Sequence, residues 1–577
     1  MSLVTLTIND REVQVEEGTT ILKAAEKLDI HIPVLCHFKL HDDRTINDPG
    51  SCRVCVVEVE GRRNLAPACS TPVTNAMNIK TNSIRAIKAR RAVVELLLSD
   101  HPKECLLCEK NMHCELQSLA AELGIREIRY EGKTTNFPTD NSSYSIIRNM
   151  DKCVLCRRCE TMCNDVQMCN VLSGINRGFN TVVAPAFNMS LAESNCTFCG
   201  QCVAVCPTAA LTEVNFIPNT WDAINAKDKI VVVETAPAIR AALGEEFGLE
   251  PGTLVTGKMV AALRALGFDY VFDTDFGADL TIMEEAAEFI HRLEHGGRLP
   301  MLTSCCPAWI NLLEHRFADL LDIPSTCKSP HQMFGTITKT YFAEKMNIDP
   351  KNIVVVSIMP CLAKKYEAAR PEMEVNGVRD VDIVLSTREL AKMIKEAGID
   401  FLSLEDDNFD NPIGESTGAA VIFGASGGVM EAAVRTAYEW ITGESGPPLE
   451  FNSVRGYEGV KEASIKIKDM DINVAVTNGL GNAVKMLDNI REGKVNYHLI
   501  EIMACPGGCI GGGGQPYIYG NTSILHKRID AIYKEDVNKQ YRKSHENPSI
   551  QKLYSELLGE PYGEKAHQLL HTHFQKR

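Results

Sequence analysis

Asn352-Ile-Val-Val-Val-Ser357 runs straight into Ile358 and then Met359-Pro-Cys361. Four consecutive β-branched residues, with a cysteine just past them, read as a buried parallel strand that offers a reactive group at its carboxyl end. The same grammar recurs. Lys229-Ile-Val-Val-Val-Glu234, Leu299-Pro-Met-Leu302, Val381-Asp-Ile-Val-Leu385 and Ile472-Asn-Val-Ala-Val476 are apolar runs of strand length, several followed by helical patterns. From about residue 218 the chain therefore reads as an α/β domain with mainly parallel sheets. In such sheets ligands gather at strand carboxyl ends. Thr303-Ser-Cys-Cys-Pro-Ala-Trp309, Met359-Pro-Cys361 and Met503-Ala-Cys505-Pro-Gly-Gly-Cys509 occupy such positions and can converge in space.

A chain of 577 residues implies two to four folding units. The apolar fraction of 45% is that of a globular protein, and the net charge of −15 argues against a nucleic-acid surface. The longest apolar runs, such as Ile230 to Val233 and Ala419 to Phe423, are too short to span a bilayer, so no membrane segment is expected. Met1-Ser-Leu-Val-Thr-Leu lacks a charged and then apolar leader, and a cytoplasmic location is expected. Cysteine usage is the unusual feature. Sixteen of the 22 cysteines fall between Cys36 and Cys206. In a reducing compartment such density indicates metal binding rather than disulfides.

Residues 3–16 alternate apolar and polar around Asn9-Asp10, a hairpin signal, and Thr19-Thr20 then cap a short helix from Ile21 to Leu28. Cys36, Cys52, Cys55 and Cys69 follow, a set that suits a 2Fe–2S cluster or a zinc ion. Residues 84–99 form a basic helix (Arg85, Lys88, Arg90, Arg91) whose charge reads as a solvated face. Beyond it, Cys105, Cys108 and Cys114 are one ligand short of a cubane, and His101 stands where a fourth could reach. The strongest spacing is Cys153-x2-Cys156-x2-Cys159-x3-Cys163, repeated as Cys196-x2-Cys199-x2-Cys202-x3-Cys206-Pro207. This is the two-cluster ferredoxin pattern, in which each run's fourth cysteine crosses to the other cluster. One 4Fe–4S site then uses Cys153, Cys156, Cys159 and Cys206, the other Cys163, Cys196, Cys199 and Cys202. Asn164 in place of proline after the first run is a small departure.

Three longer motifs carry a family resemblance. Thr303-Ser-Cys-Cys-Pro-x-Trp309, Met359-Pro-Cys-x-x-Lys-Lys-x-Glu367 and Glu501-x-Met-Ala-Cys-x-x-Gly-Cys-x-Gly-Gly-Gly-Gly-Gln-Pro516 resemble the signatures of the FeFe-hydrogenases. The resemblance runs along essentially the whole chain. It divides it into a β-grasp 2Fe–2S domain (1–80), a His–Cys₃ 4Fe–4S domain (81–143), a two-cluster ferredoxin-like domain (144–217), the catalytic domain (218–520) and a small-subunit-like segment (521–577). That last segment carries Arg542-Lys-Ser-His-Glu-Asn547 and Gly563-Glu-Lys-Ala-His567.

What the resemblance implies is an H-cluster, a 4Fe–4S cubane joined through a cysteine to a diiron unit with CO, cyanide and a bridging dithiolate. It assigns Cys306, Cys361 and Cys505 to the cubane, and Cys509 to the bridge. Lys364 would donate to a cyanide. Met359 and Met503 would pack on the diiron unit, and Ala236-Pro237-Ala238 and Ser426 would line it. The glycines around Cys509 would let backbone approach the cluster. The resemblance further implies one 2Fe–2S and three accessory 4Fe–4S clusters, including the His101–Cys₃ cubane, that relay electrons in reversible oxidation of dihydrogen. Protons would travel from Cys305 through Glu285, Ser325, Glu288 and Arg292. Glu285, Glu288 and Arg292 are spaced i, i+3, i+7 and share a helix face. The plain alternative is that Glu288 and Arg292 form a surface i,i+4 ion pair worth about 0.2–0.5 kcal/mol. Cys169 and Cys327 read as buried apolar thiols.

Other classes in the family fit less well. Non-catalytic iron–sulfur assembly factors keep the fold but lose the diiron pocket, whereas Cys305, Lys364, Met503 and Cys509 are intact. The proton-relay cysteine that sensory relatives usually replace is also present. The partner expectation is a multimeric, electron-bifurcating NAD(P)-linked enzyme with flavin- and iron–sulfur-bearing subunits. Its motive is Ser329-Pro-His331-Gln, with histidine where stand-alone clostridial enzymes have glutamine. The alternative is a self-sufficient hydrogenase that exchanges electrons with ferredoxin.

Overall fold

The structure is a computed structural model that describes all residues except 1, 41–45, 48, 412, 414, 445–450 and 469. Leu3–Ile8 and Arg11–Glu16 pair antiparallel across Asn9 and Asp10, both at positive φ (50° and 63°), as a tight hairpin turn requires. Asn78–Lys80, Val56–Val59 and Ala66–Pro67 complete a five-stranded sheet. Its helix spans Ile21–Glu26, with the Thr20 hydroxyl accepting from the Lys23 N–H.

The basic helix, Ile84–Asp100, is capped by Ser83. Its expected solvated charge needs correction at one position. Arg90 is buried, and its Nε donates to the Val56 carbonyl at 3.0 Å. The guanidinium satisfies a strand carbonyl and docks the helix on the first sheet, a role composition cannot distinguish from exposure.

In the tandem-cysteine region, Ile146–Arg148 and Leu211–Glu213 pair antiparallel and bring the two ends of the segment together. Side chains then lock this region onto the catalytic domain by bonding to backbone. Asn311 Nδ2 donates to the Cys196 carbonyl (2.9 Å), Gln167 Nε2 to that of Ala504 (3.0 Å), Gln201 Nε2 to that of Gly511 (2.9 Å), and Ser145 Oγ to that of Leu362 (2.7 Å).

The body holds two four-stranded sheets. In the first, Tyr270–Asp273, Ile230–Thr235, Ile353–Met359 and Ile383–Ser386 lie side by side, all parallel. In the second, Met301–Leu302, Leu499–Met503 and Met470–Asn478 are parallel, and Val460–Ile467 closes the edge antiparallel. The expected strand at Leu299 begins only at Met301, since Pro300 has no N–H for the ladder. Valine and isoleucine dominate the two inner strands of the first sheet, whose residues are nearly all buried.

Helices Ser523–Asn538, Pro548–Leu553 and Glu564–Leu570 form the carboxyl-terminal segment. Its end lies along residues 326–328: Lys328 N donates to Leu570 O (2.8 Å), Thr572 N to Thr326 O (2.7 Å), and Cys327 and His571 face each other in a β-bridge. No helix among the described residues is long and apolar enough to cross a membrane.

One buried ion pair ties the ferredoxin-like region to the catalytic loop. Arg388 is paired with Glu213 and also donates to the carbonyls of Gly513 and Gln515. Although burial alone would raise it, the Glu213 carboxyl is held down at about 2 by the Arg388 charge. That stabilisation is present at neutral pH and is lost as pH falls towards 2. Arg388→Ala leaves a buried carboxylate unpaired and should cost about 3–5 kcal/mol in anaerobic denaturant unfolding near neutral pH. An unchanged midpoint would contradict this reading of the pair.

Candidate functional site

The sequence-spaced cysteines assemble into separate cages. Cys36 lies in hydrogen-bonding contact with Cys52 and Cys69, and Cys69 with Cys55, at the rim of the first sheet. His101, Cys105, Cys108 and Cys114 line one cavity of about 490 Å³. Burial first, then the Lys152 charge, lowers the His101 imidazole to about 4, leaving it neutral with a ring nitrogen free to ligate. Cys153, Cys156, Cys159 and Cys206 line a cavity of about 400 Å³. Cys163, Cys196, Cys199 and Cys202 line another of about 440 Å³. The crossing read from spacing is thus how the fold groups these side chains. Cys169 is buried in this last cavity, its thiol 3.6 Å from Thr197 Oγ1.

A further cavity of about 520 Å³ opens at the carboxyl ends of five parallel strands. Ala236 and Pro237 come from the strand ending at Thr235, Thr274 from that ending at Asp273, and Cys305 from that ending at Leu302. Met359 and Cys361 come from the Ile353–Met359 strand, and Met503 and Cys509 from Leu499–Met503. His331 and Lys364 complete the wall, with Ala278, Pro330, Pro360 and Phe423, which sequence reasoning missed. Ala238 and Ser426 are not among its lining residues. Ala238 is fully buried behind it, and Ser426 Oγ accepts from Lys461 Nζ (3.3 Å) and Asn478 Nδ2 (3.2 Å).

The donor set fits an iron–sulfur cluster. Burial pushes the Cys509 thiol up to about 12, with Cys306 adding to the effect. Cys505 is raised well above its ordinary value by burial and then by Cys361 and Cys306, and Cys361 and Cys306 are raised too. Four mutually adjacent thiols, Cys361 and Cys505 buried and Cys306 and Cys509 half-buried, cannot ionise together without a compensating cation, and an iron cluster supplies one. The glycine-rich loop is shaped by protein contacts. A Cβ at Gly508 (φ +98°) would fall 2.5 Å from the Ser426 nitrogen, and one at Gly513 2.8 Å from the Cys199 carbonyl. Gly513 therefore lets the ferredoxin-like cage close on the catalytic loop, and Cys505 feels the charge of Cys199 across that contact.

Lys364 is the charged donor of the cavity wall. Its Nζ donates to Glu367 Oε2 (2.8 Å) and the Cys305 carbonyl (3.0 Å). Burial would lower this ammonium, but the Glu367 charge leaves it raised, so it stays protonated. Glu367 also meets His331 Nε2 at 2.6 Å, and His331 Nδ1 lies 3.2 Å from Ser357 Oγ. Burial and the Lys364 charge lower His331 to about 4, so it is a neutral partner.

Behind Cys305 stands a buried polar file. The Cys305 thiol is raised by burial and then by Glu285. Glu285 Oε1 accepts from the Ser304 N–H at 3.2 Å, while its other oxygen is buried without a partner. Ser325 Oγ donates to Glu288 Oε2 at 2.9 Å. Arg292 Nε donates to Glu288 Oε1 at 3.1 Å. Glu288 and Arg292 do form the i,i+4 ion pair, but Glu288 is 1% exposed, so it is not a surface pair. Cys327 is buried as expected, but its surroundings are polar rather than apolar: its thiol lies 4.0 Å from Glu288 Oε2.

Residues 229–513 match the family described as iron only hydrogenase large subunit, C-terminal domain, and 522–577 match iron hydrogenase small subunit. Residues 2–83 match a 2Fe-2S iron-sulfur cluster binding domain, 90–129 the NADH-ubiquinone oxidoreductase-G iron-sulfur binding region, and 191–212 a 4Fe-4S binding domain. The chain belongs to the iron-only, or FeFe, hydrogenases and is a hydrogenase with accessory iron–sulfur domains. It is 59% identical over 583 aligned residues, covering 100% of both chains, to the NADP-reducing hydrogenase subunit HndD of Solidesulfovibrio fructosivorans. It is 41% identical to iron hydrogenase 1 of Clostridium pasteurianum, over 99% of this chain and 100% of that one. A solved variant of the [FeFe]-hydrogenase HydA1 from Chlamydomonas reinhardtii superposes with a TM-score of 0.58 and 43% identity, covering 63% of this chain and 99% of that one.

Burial, with the Glu288 charge adding to it against the Ser304 N–H bond, raises the Glu285 carboxyl to about 8. The folded chain then keeps this proton where the unfolded chain has lost it. The associated stability is full below the ordinary carboxylate pKa and is lost as pH rises through about 8. Glu285→Gln should accordingly gain melting temperature relative to the parent between about pH 5 and pH 8. A gap that stays constant across that range in anaerobic calorimetry would show that Glu285 is not buried as the neutral acid.

Proposed function

We propose that this hydrogenase is the catalytic subunit of an NADP-linked, electron-bifurcating complex, working through its H-cluster and accessory clusters. The observation that carries it is the intact cavity of Cys305, Lys364 and Cys509 in a chain 59% identical, end to end, to an NADP-reducing hydrogenase subunit. His331 on the cavity wall agrees with the multimeric reading. The second reading, a stand-alone enzyme served by ferredoxin, is favoured by the full-length similarity to iron hydrogenase 1.

In this proposal Cys306, Cys361, Cys505 and Cys509 would hold the H-cluster, with Cys509 as the residue nearest its diiron unit. The bound cluster supplies the centre at which dihydrogen is split or formed and its two electrons are exchanged. The protein does the rest. Lys364, kept cationic by Glu367, donates a charge-assisted hydrogen bond to an anionic ligand. Met359, Met503 and Phe423 present apolar surface that keeps water from the reacting centre. The Cys305 thiol, held protonated by burial, gives up or takes a proton at the cavity wall. Glu285 exchanges that proton with Glu288 through the Ser325 hydroxyl. Cys163, Cys196, Cys199 and Cys202 would hold the accessory cluster nearest the catalytic loop, against which Cys199 lies. The cages of Cys153 to Cys206, His101 to Cys114, and Cys36 to Cys69 would hold the outer ones, and such clusters would supply electron transfer.

Three measurements test these assignments. One 2Fe–2S cluster, three accessory 4Fe–4S clusters and a six-iron H-cluster amount to about 20 irons per chain, and stoichiometric zinc in anaerobic protein would overturn the front-end assignment. Cys305→Ala should keep its iron and its CO and cyanide infrared bands while turnover falls about 10²- to 10⁴-fold, whereas Cys509→Ala should lose the bands. Parent-like turnover of Cys305→Ala would remove that thiol from the route. The isolated, matured chain should exchange electrons between dihydrogen and a viologen dye but reduce NADP⁺ only when flavin-bearing subunits are added. Purification from native cells as a single chain that exchanges rapidly with ferredoxin would replace the multimeric reading with the second one.

A further inference from the structure

We propose that the carboxyl-terminal segment supplies the solvent end of the proton route, with His571 as the group through which Glu288 exchanges protons with water. The inference rests on the reading of Glu285, Ser325 and Glu288 as a relay, and it concerns how that relay reaches the surface.

The two oxygens of Glu288 face different surroundings. Oε1 receives the Arg292 guanidinium. The remaining guanidinium hydrogens are committed to the carbonyls of Pro324 (2.7 Å), Ile323 (3.1 Å) and Arg298 (3.3 Å). A guanidinium does not give up its proton at any pH the protein encounters. Arg292 therefore anchors Glu288 but closes that side to proton traffic. Oε2 faces the other way. It accepts from Ser325 Oγ on the inner side and from Thr326, through N (3.0 Å) and Oγ1 (3.2 Å), on the outer side. Thr326 Oγ1 lies 2.7 Å from His571 Nδ1, and His571 Nε2 lies 3.0 Å from Glu284 Oε2.

From His571 outward the rings become progressively more exposed. Its side chain is 3% exposed, and its ring centroid is 4.2 Å from that of the exposed His567. Tyr562 packs against both rings and lies 5.0 Å from the exposed His291, which stacks on His295 at 4.3 Å. His571 is faced by Glu284 and Glu288 from one helix, by Thr326 and Cys327 from the loop, and by Tyr562 and His567 from its own segment. Glu288, Cys327 and His571 have donor atoms within 4.8 Å of one another, a spacing a metal ion could use. The Glu288 and His571 donors are, however, already engaged by Ser325, Thr326 and Glu284. A proton wire accounts for that engagement; an open metal site does not.

The transfer balances. Glu288 gives its proton to the Thr326 hydroxyl as that hydroxyl gives its own to Nδ1 of His571. Glu288 becomes a carboxylate and the imidazole becomes imidazolium. The imidazolium then passes a proton to the exposed His567 and so to water, which restores the neutral imidazole, and Glu288 regains a proton from the inner relay through Ser325. Uptake runs the same steps in reverse.

The test uses the fully matured chain with a viologen dye. His571→Gln keeps a hydrogen-bonding side chain but cannot carry a proton, and it should lower turnover about tenfold to a hundredfold with iron content and infrared bands unchanged. His571→Ala should be slow in the same way and partly restored by added imidazole, which a merely structural role would not produce. Thr326→Val should reproduce the loss without imidazole rescue. It decides the matter if the His571 variants fail to retain the infrared bands. Turnover of His571→Gln within about twofold of the parent, or parent-like Thr326→Val, overturns the proposal. A slow Glu288→Gln beside a parent-like His571→Gln would leave the relay standing and remove only this exit. A parent-like Glu288→Gln would remove the relay reading and this proposal with it.

Discussion

Buried thiols resist ionising, and several of them together resist it more. That constraint organises the molecule. Each cage of the ferredoxin-like region draws ligand candidates from both cysteine runs, and the catalytic cage draws them from three strand ends. Covalent connectivity alone does not hold such cages shut, since in the catalytic cage the thiols of Cys361, Cys505 and Cys509 are raised by burial and by neighbouring cysteines. A cationic iron cluster converts that repulsion into attraction, so cluster binding and closure of the fold are one free-energy change. The hydrogen bonds from Asn311, Gln167, Gln201 and Ser145 to backbone carbonyls position the segments so that the cages form in register.

The catalytic cavity adds a second demand. Its wall must be apolar enough to exclude water and still present one firm positive charge. Lys364 meets both conditions because Glu367 neutralises the cost of burying it, and Glu367 is in turn satisfied by the neutral His331. The parallel sheets make this possible. Their carboxyl ends deliver short loops to one place while the strands beneath stay apolar.

How much of this was legible in the sequence follows from the range of each interaction. Cysteine spacing is local, so the crossed pairing of Cys163 and Cys206 could be read directly, and the continuous runs at 230–234 and 353–357 announced buried parallel strands. Burial of charge was not legible. Glu288 and Arg292 have the spacing of an exposed ion pair, yet Glu288 is buried and Arg292 half-buried because residues 322–326 and the chain's end lie over them. Arg90 looked like part of a solvated basic face and instead bonds a strand carbonyl. Glu367 lay inside a motif without a role until Lys364 and His331 were seen on either side. His571 stands 283 residues from Glu288, and no local pattern links positions so far apart.

The strap formed by residues 570–572 along 326–328 also sets an order of assembly. A ribosome delivers His571 long after the helix and loop against which it packs, and after every cysteine of the cages. The amino-terminal cages are complete in sequence while the catalytic sheets are still being made, so they can fill in sequence order. The side of the catalytic domain beside Glu288 remains open to water until the final helices dock. The molecule is closed from the outside last, at the point where protons are proposed to cross.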